Sequence, residues 1–276
     1  MTLATRNVVL IVGVVLICML LLAYVAGAYA LLFGPFSDAR VAAGHSQSWL
    51  GVRWPVTEIG TYYSLGAAGA LALIAVVAIA VSARLFRRVS AAEIYFVTLF
   101  LMSLALELLR LGTPLADAAG LPDLVGVQLT RAVLFGRLMG ALSLFAAGLY
   151  LTGADYPRIG SATFLLAAIS FLLVYLVPVD SRRLSATFMH VTGGREAIDF
   201  LLAFLSLGAI ANCVIGWWRG HRERGGAIAL SISVLVIGKE LSLNLATPVP
   251  LALGVGLVAA GTAGFVLVNR SSYLWY

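Results

Sequence analysis

The sequence predicts an all-α, polytopic membrane helix bundle with eight transmembrane helices, seven being the alternative count, and with one re-entrant pair as the alternative for the last two spans. Both termini are expected in the cytoplasm. Three observations carry this. Hydrophobic residues make up 62% of the chain and charged ones only 11%, where a soluble chain carries about 25% charged residues. The apolar runs are each close to the ~20 residues that a span requires. Arginines cluster at the ends of those runs, mostly at alternate ones, as the positive-inside rule demands.

The first span runs from Val8 to about Leu32 behind Arg6. It exceeds the ~7–15 residues of a signal-peptide core and is expected to be retained. Residues 34–60 form the longest polar segment, with His45, Trp49, Arg53 and Trp54. This is expected to be an extracytoplasmic loop lying at the membrane interface. The second span covers about Thr61–Ala83 and ends in the RLFRR cluster. The third covers about Ala91–Leu111, and Pro114 and Pro122 are assigned to a loop. The fourth covers about Val125–Leu151 and the fifth about Ser161–Val179. A loop holding Asp180, Arg182, Arg183, His190, Arg195 and Glu196 leads to the sixth, which ends at Trp217–Trp218 before RGHRERGG. The seventh carries Lys239 and Glu240, and the eighth ends near Val268. No fixed-period repeat or linker divides the chain, so residues 1–276 are expected to form one integral membrane domain.

With the N-terminus inside, Arg6, Arg84, Arg87, Arg88, Arg158, Arg219, Arg222, Arg224 and Arg270 are cytoplasmic. The net charge of +6 then reflects topology and lipid headgroups rather than nucleic acid. The expected location is the cytoplasmic (inner) membrane. Cys18 and Cys213 lie in apolar runs and are expected to pack there without a disulfide.

The functional signal is a set of ionisable residues inside these runs. A charge at mid-membrane costs about 2.5–3.5 kcal/mol on insertion scales and has to face a partner, a cavity or a ligand. Depth along each span places Glu107, Arg110, Arg131, Arg137, Asp199, Lys239, Glu240 and Asn244 in the outer half or near the midplane. Ser103, Glu107 and Arg110 share one helical face, Ser233, Glu240 and Asn244 a second, and Asp199 and Ser206 a third. If these faces converge they form a charged pocket open to the extracytoplasmic side. The plainer reading is structural salt bridges, such as Glu107 with Arg131 and Glu240 with Arg110. Gly136 and Gly140 form a GxxxG pair, and Gly256, Ala260 and Gly264 a small-residue line, both expected at helix contacts. The sequence holds no nucleophile, P-loop or metal motif, so no cofactor and no metal site are expected.

A membrane-embedded lysine on a seventh helix with a carboxylate on the third resembles the arrangement of retinal proteins. The cytoplasmic N-terminus and long first outer loop are similar to their heliorhodopsin branch. That resemblance implies Lys239 as a Schiff-base lysine and Glu107 or Glu93 as its counterion. The eighth span, the height of Glu107 in its helix and the lack of a family motif around Lys239 depart from it. The leading expectation is a lipid-embedded protein that binds or transports a small polar, anionic ligand. The alternatives are a sensory or scaffolding module acting through a partner protein, and an outer-leaflet lipid-modifying enzyme with Glu107 or Asp199 as base.

Overall fold

The computed structural model describes residues 3–33, 46–49, 52–55, 58–86, 91–153, 159–185, 187–219, 225–244 and 247–273. Its helices are α1 (Leu3–Leu32), α2 (Glu58–Leu85), α3 (Ala92–Leu104), α4 (Gly112–Ala118), α5 (Asp123–Leu151), α6 (Ile159–Leu176), α7 (Arg195–Trp218), α8 (Gly225–Asn244) and α9 (Pro248–Tyr273). A 3₁₀ segment, Ala105–Leu111, joins α3 to α4. Eight stretches among the described residues are long and apolar enough to cross a membrane. The last two are separate helices of this length, Gly225–Asn244 and Pro248–Arg270. Pro248 and Pro250 open α9, where a missing N–H costs little.

The third span differs from its expectation. It continues past Leu111 to Ala118, and Pro114 lies in the first turn of α4. Proline cannot donate to the carbonyl four residues back, which is that of Arg110. The backbone tightens immediately before it into the 3₁₀ segment, and the Gly112 N–H turns to the carbonyls of Leu109 and Arg110. A 3₁₀ run of seven residues exceeds the usual ~3–4, so the third span changes character where Glu107 and Arg110 sit.

Contacts establish an up-and-down bundle. Arg6 Nη2 donates to the Phe86 carbonyl at 2.8 Å and the Tyr24 hydroxyl to that of Leu65 at 2.6 Å, so α1 and α2 are antiparallel. Gly136 and Gly140 of α5 lie against Leu106 and Ser103, as the GxxxG spacing predicts, with α3 and α5 antiparallel. Gly208 and Gly216 of α7 meet Phe145 and Leu151 of α5, so those two helices run parallel. Arg6, Arg84, Arg219 and Arg270 consequently gather at one end of the bundle. The core is built from α2, α3, α5 and α8, with Leu71, Phe96, Phe100, Leu144 and Ile232 inaccessible. Helix α3 is buried nearly all round, whereas α6 buries only Ser170 and Val174.

The expected small-residue line in the last span is shifted. Gly256 has open space around it. Gly254 and Gly261 make the close approach instead: a Cβ there would lie 2.7 Å from Gly238 O and 2.7 Å from Leu235 N of α8. Only this face, extended to Gly264 beside Ser231, lets the two backbones touch.

Among the described residues, two hairpins interrupt the helical pattern. Within residues 34–60, β1 (Ser46–Trp49) pairs antiparallel with β2 (Val52–Pro55); Asp38, Arg40 and His45 lie outside the described residues. Between α6 and α7, β3 (Val179–Leu184) pairs with β4 (His190–Thr192), in place of the irregular loop that the sequence leads one to expect. The turn between them carries Phe188 at φ 58°, a conformation unfavourable for a bulky side chain. Phe188 is inaccessible and packs with Leu31, Leu65 and Leu111. Burial of this ring between α1, α2 and the 3₁₀ segment offsets the strain and fixes the hairpin onto the end of the bundle opposite Arg6.

Candidate functional site

Three helices bring charge to one level. At ~1.5 Å per residue, Glu107 lies about 22 Å from Ala92, Arg137 about 21 Å from Leu151 and Lys239 about 21 Å from Gly225, all measured from the arginine-rich end. The 3₁₀ geometry nearly eclipses residues three apart, which sets Arg110 directly against Glu107 as an ion pair. From α5, Arg137 Nε donates to Glu107 Oε1 at 2.9 Å. One carboxylate, 2% exposed, therefore holds two guanidinium groups. Gly136 and Gly140 flank Arg137 and let α5 approach the third span closely enough for this contact.

Arg137 also reaches α8. Its Nη2 donates to the Leu243 carbonyl at 3.4 Å, one of the last four carbonyls of the helix, which have no partner within it. The negative end of the helix dipole favours a cation there. Lys239 Nζ lies 2.6 Å from Glu240 Oε1. The other Glu240 oxygen accepts from Asn244 Nδ2 at 2.7 Å, and Ser206 of α7 donates to Oε1 at 3.3 Å. Glu240 thus has three partners from two helices.

Next to Arg137, towards the β3–β4 hairpin, is a cavity of about 30 Å³. Its charged walls are Arg137, Arg195 and Asp199. Arg195 and Asp199 share a face of α7, with Nε and Oδ2 3.9 Å apart. The hairpin supplies His190, Thr192, Ser185 and Thr187. His190 is 5% exposed, its backbone N–H donates to Thr130 Oγ1, and neither ring nitrogen has a hydrogen-bond partner.

Of the residues singled out from the sequence, Glu107, Arg110, Arg137, Lys239, Glu240 and Asn244 thus come together, with Asp199 on the adjoining cavity. Arg131 is elsewhere. Its guanidinium lies 4.8 Å from the centroid of the Tyr175 ring on α6. Arg131 and Arg137 are six positions apart, which turns them about 120° from each other on a helix of 3.6 residues per turn. The Glu107–Arg131 and Glu240–Arg110 pairings do not form either; Arg137, Arg110 and Lys239 take those places. Sequence reasoning missed the cavity-lining roles of His190, Thr192 and Arg195, because the hairpin that brings His190 and Thr192 to α5 has no local signature.

No family model and no curated protein matches this chain. Among the described residues, no three His, Cys, Asp or Glu side chains come close enough to hold a metal ion. For the retinal arrangement, Lys239 is buried and ion-paired to its own neighbour Glu240 rather than to Glu107 or Glu93. An apolar groove lined by Leu73, Val77 and Ala263 among others lies between α2 and α9, and Lys239 is not among its lining residues.

Proposed function

We propose that this multi-pass protein binds, or carries across the membrane, a small polar anion, and that its site is the buried charge cluster reached from the end opposite Arg6, Arg84, Arg219 and Arg270. The observation that carries this reading is the charge balance. Among the described residues, Arg110, Arg137, Arg195 and Lys239 face Glu107, Glu240 and Asp199, one cation more than there are carboxylates. Arg110 Nε is buried with no acceptor. An unbalanced buried cation is expensive, and a bound anion offsets it.

Two further features support transport over a purely structural cluster. A structural role is served best by matched pairs, and buried pairs are themselves weak stabilisers. The third span is a broken helix at the level of the charges, as in transporters whose sites are formed by discontinuous helices near the midplane. The four arginines at the far end are taken to be cytoplasmic by the positive-inside rule, which makes the site outward-facing in the inner membrane.

The test is anion-dependent thermal stability of the purified protein in detergent, with formate, nitrate or chloride exchanged for gluconate at constant ionic strength. Binding at 100 times Kd adds about 2.7 kcal/mol, a shift of several degrees. Identical melting points in all four salts, up to about 100 mM, would overturn the reading.

A further inference from the structure

Resting on the anion-binding reading, we propose that the cavity under the β3–β4 hairpin is the seat of a small monovalent anion, held by His190, Arg195 and Arg137. Three observations converge on it. The first is size. A cavity needs about 10–15 Å³ of such volume for one water, and this one has about 30 Å³. That admits about two or three water-sized groups, which suits chloride, nitrate or formate better than an amino acid or a sugar acid.

The second is charge. Arg137 and Arg195 line the cavity with a single carboxylate, Asp199. Among the described residues the sum at the wall is one positive charge, which matches a monoanion and not sulfate. The third is an unfilled hydrogen-bonding position. The His190 ring is buried with both nitrogens unpartnered, though a neutral imidazole always has one N–H to donate. Gly126 makes room for the Nε2 edge of the ring, where a Cβ would fall 2.5 Å from that nitrogen, so Nδ1 is the nitrogen assigned to an occupant. Ser185 and Thr187 hydroxyls lie 3.0 Å apart. Only one of the two donates to the other, so one O–H remains for an occupant.

This location also gives the hairpin a function. Phe188 anchors the turn in the bundle, and His190 and Thr192 on the following strand cover the cavity. The anion would meet His190 and Arg195 first, with Arg137 joining this seat to Glu107 and α8.

The experiment titrates the purified full chain with sodium formate and sodium nitrate in detergent at constant ionic strength, reading thermal stability and calorimetric heat. Arg195→Gln is the primary variant because Arg195 is 26% exposed and its loss spares the core; His190→Ala is the second. Each is expected to weaken formate binding at least tenfold while the anion-free melting point stays within a few degrees of wild type. Sodium sulfate is expected to stabilise no more than gluconate. If wild type binds formate and both variants bind it equally well, while Lys239→Met does not, this seat is wrong and the deeper cluster is the anion site. Sulfate binding as tight as formate overturns the size and charge assignment. Wild type indifferent to every anion removes the underlying reading as well, leaving a cavity that holds water only.

Discussion

Glu107→Gln is the perturbation that discriminates most sharply, because this carboxylate is 2% exposed and contacts both Arg110 and Arg137. At an effective dielectric of ~20, a unit pair ~4 Å apart is worth about 4 kcal/mol. Glutamine keeps an acceptor oxygen for one arginine, but it leaves two buried guanidiniums repelling each other. Breaking a buried pair from one side costs about 3–5 kcal/mol. A domain of this size moves by about 2–4 °C per kcal/mol, so the variant is expected to melt about 10 °C below wild type. The assay is thermal unfolding in detergent, with Glu196→Gln on the exposed first turn of α7 as the control, expected to be unchanged. Adding Arg110→Met to Glu107→Gln removes the stranded cation and should recover part of the loss. A Glu107→Gln protein melting within about 2 °C of the control would mean that the two arginines are not held by this carboxylate, and the charge balance would have to be recounted.

Lys239→Met should fold in normal yield, since Glu240 keeps Ser206 and Asn244, and should weaken anion-dependent stabilisation less than Arg195→Gln does, because Lys239 is not at the cavity wall; Lys239→Arg should restore that part. Reduced monodisperse yield with anion binding intact would reduce Lys239 to one half of a salt bridge. For orientation, in a background lacking Cys18 and Cys213, Glu196→Cys should react with an impermeant thiol reagent in intact cells and Arg219→Cys only after permeabilisation. The reverse pattern would invert the topology. Gly254→Leu and Gly261→Leu should collapse folded yield because each side chain meets α8 backbone at 2.7 Å, whereas Gly256→Leu, facing open space, should be tolerated.

How much was legible follows from what each property depends on. Span positions are local sums of transfer free energy, so the apolar runs located eight helices to within a few residues at most ends. The exception, the third span, extends through Pro114, because proline in the first turn of a helix does not end it. Depth was legible only coarsely: ~1.5 Å per residue put Glu107, Arg137 and Lys239 in one half of their spans, and the helix packing sets them at one level. Which residues meet was decided by the tertiary structure. Arg137 rather than Arg131 reaches Glu107, because Gly136 and Gly140 turn that face of α5 onto α3. Gly254 and Gly261 rather than Gly256 touch α8 for the same reason: a helix that is apolar all round has no polar side to mark which face turns inward, so its rotation is chosen by packing. The cavity was hidden most completely, since its walls come from α5, α7 and a hairpin anchored by Phe188. No stretch of sequence encodes that juxtaposition, which exists only once a strained turn is buried between three other segments.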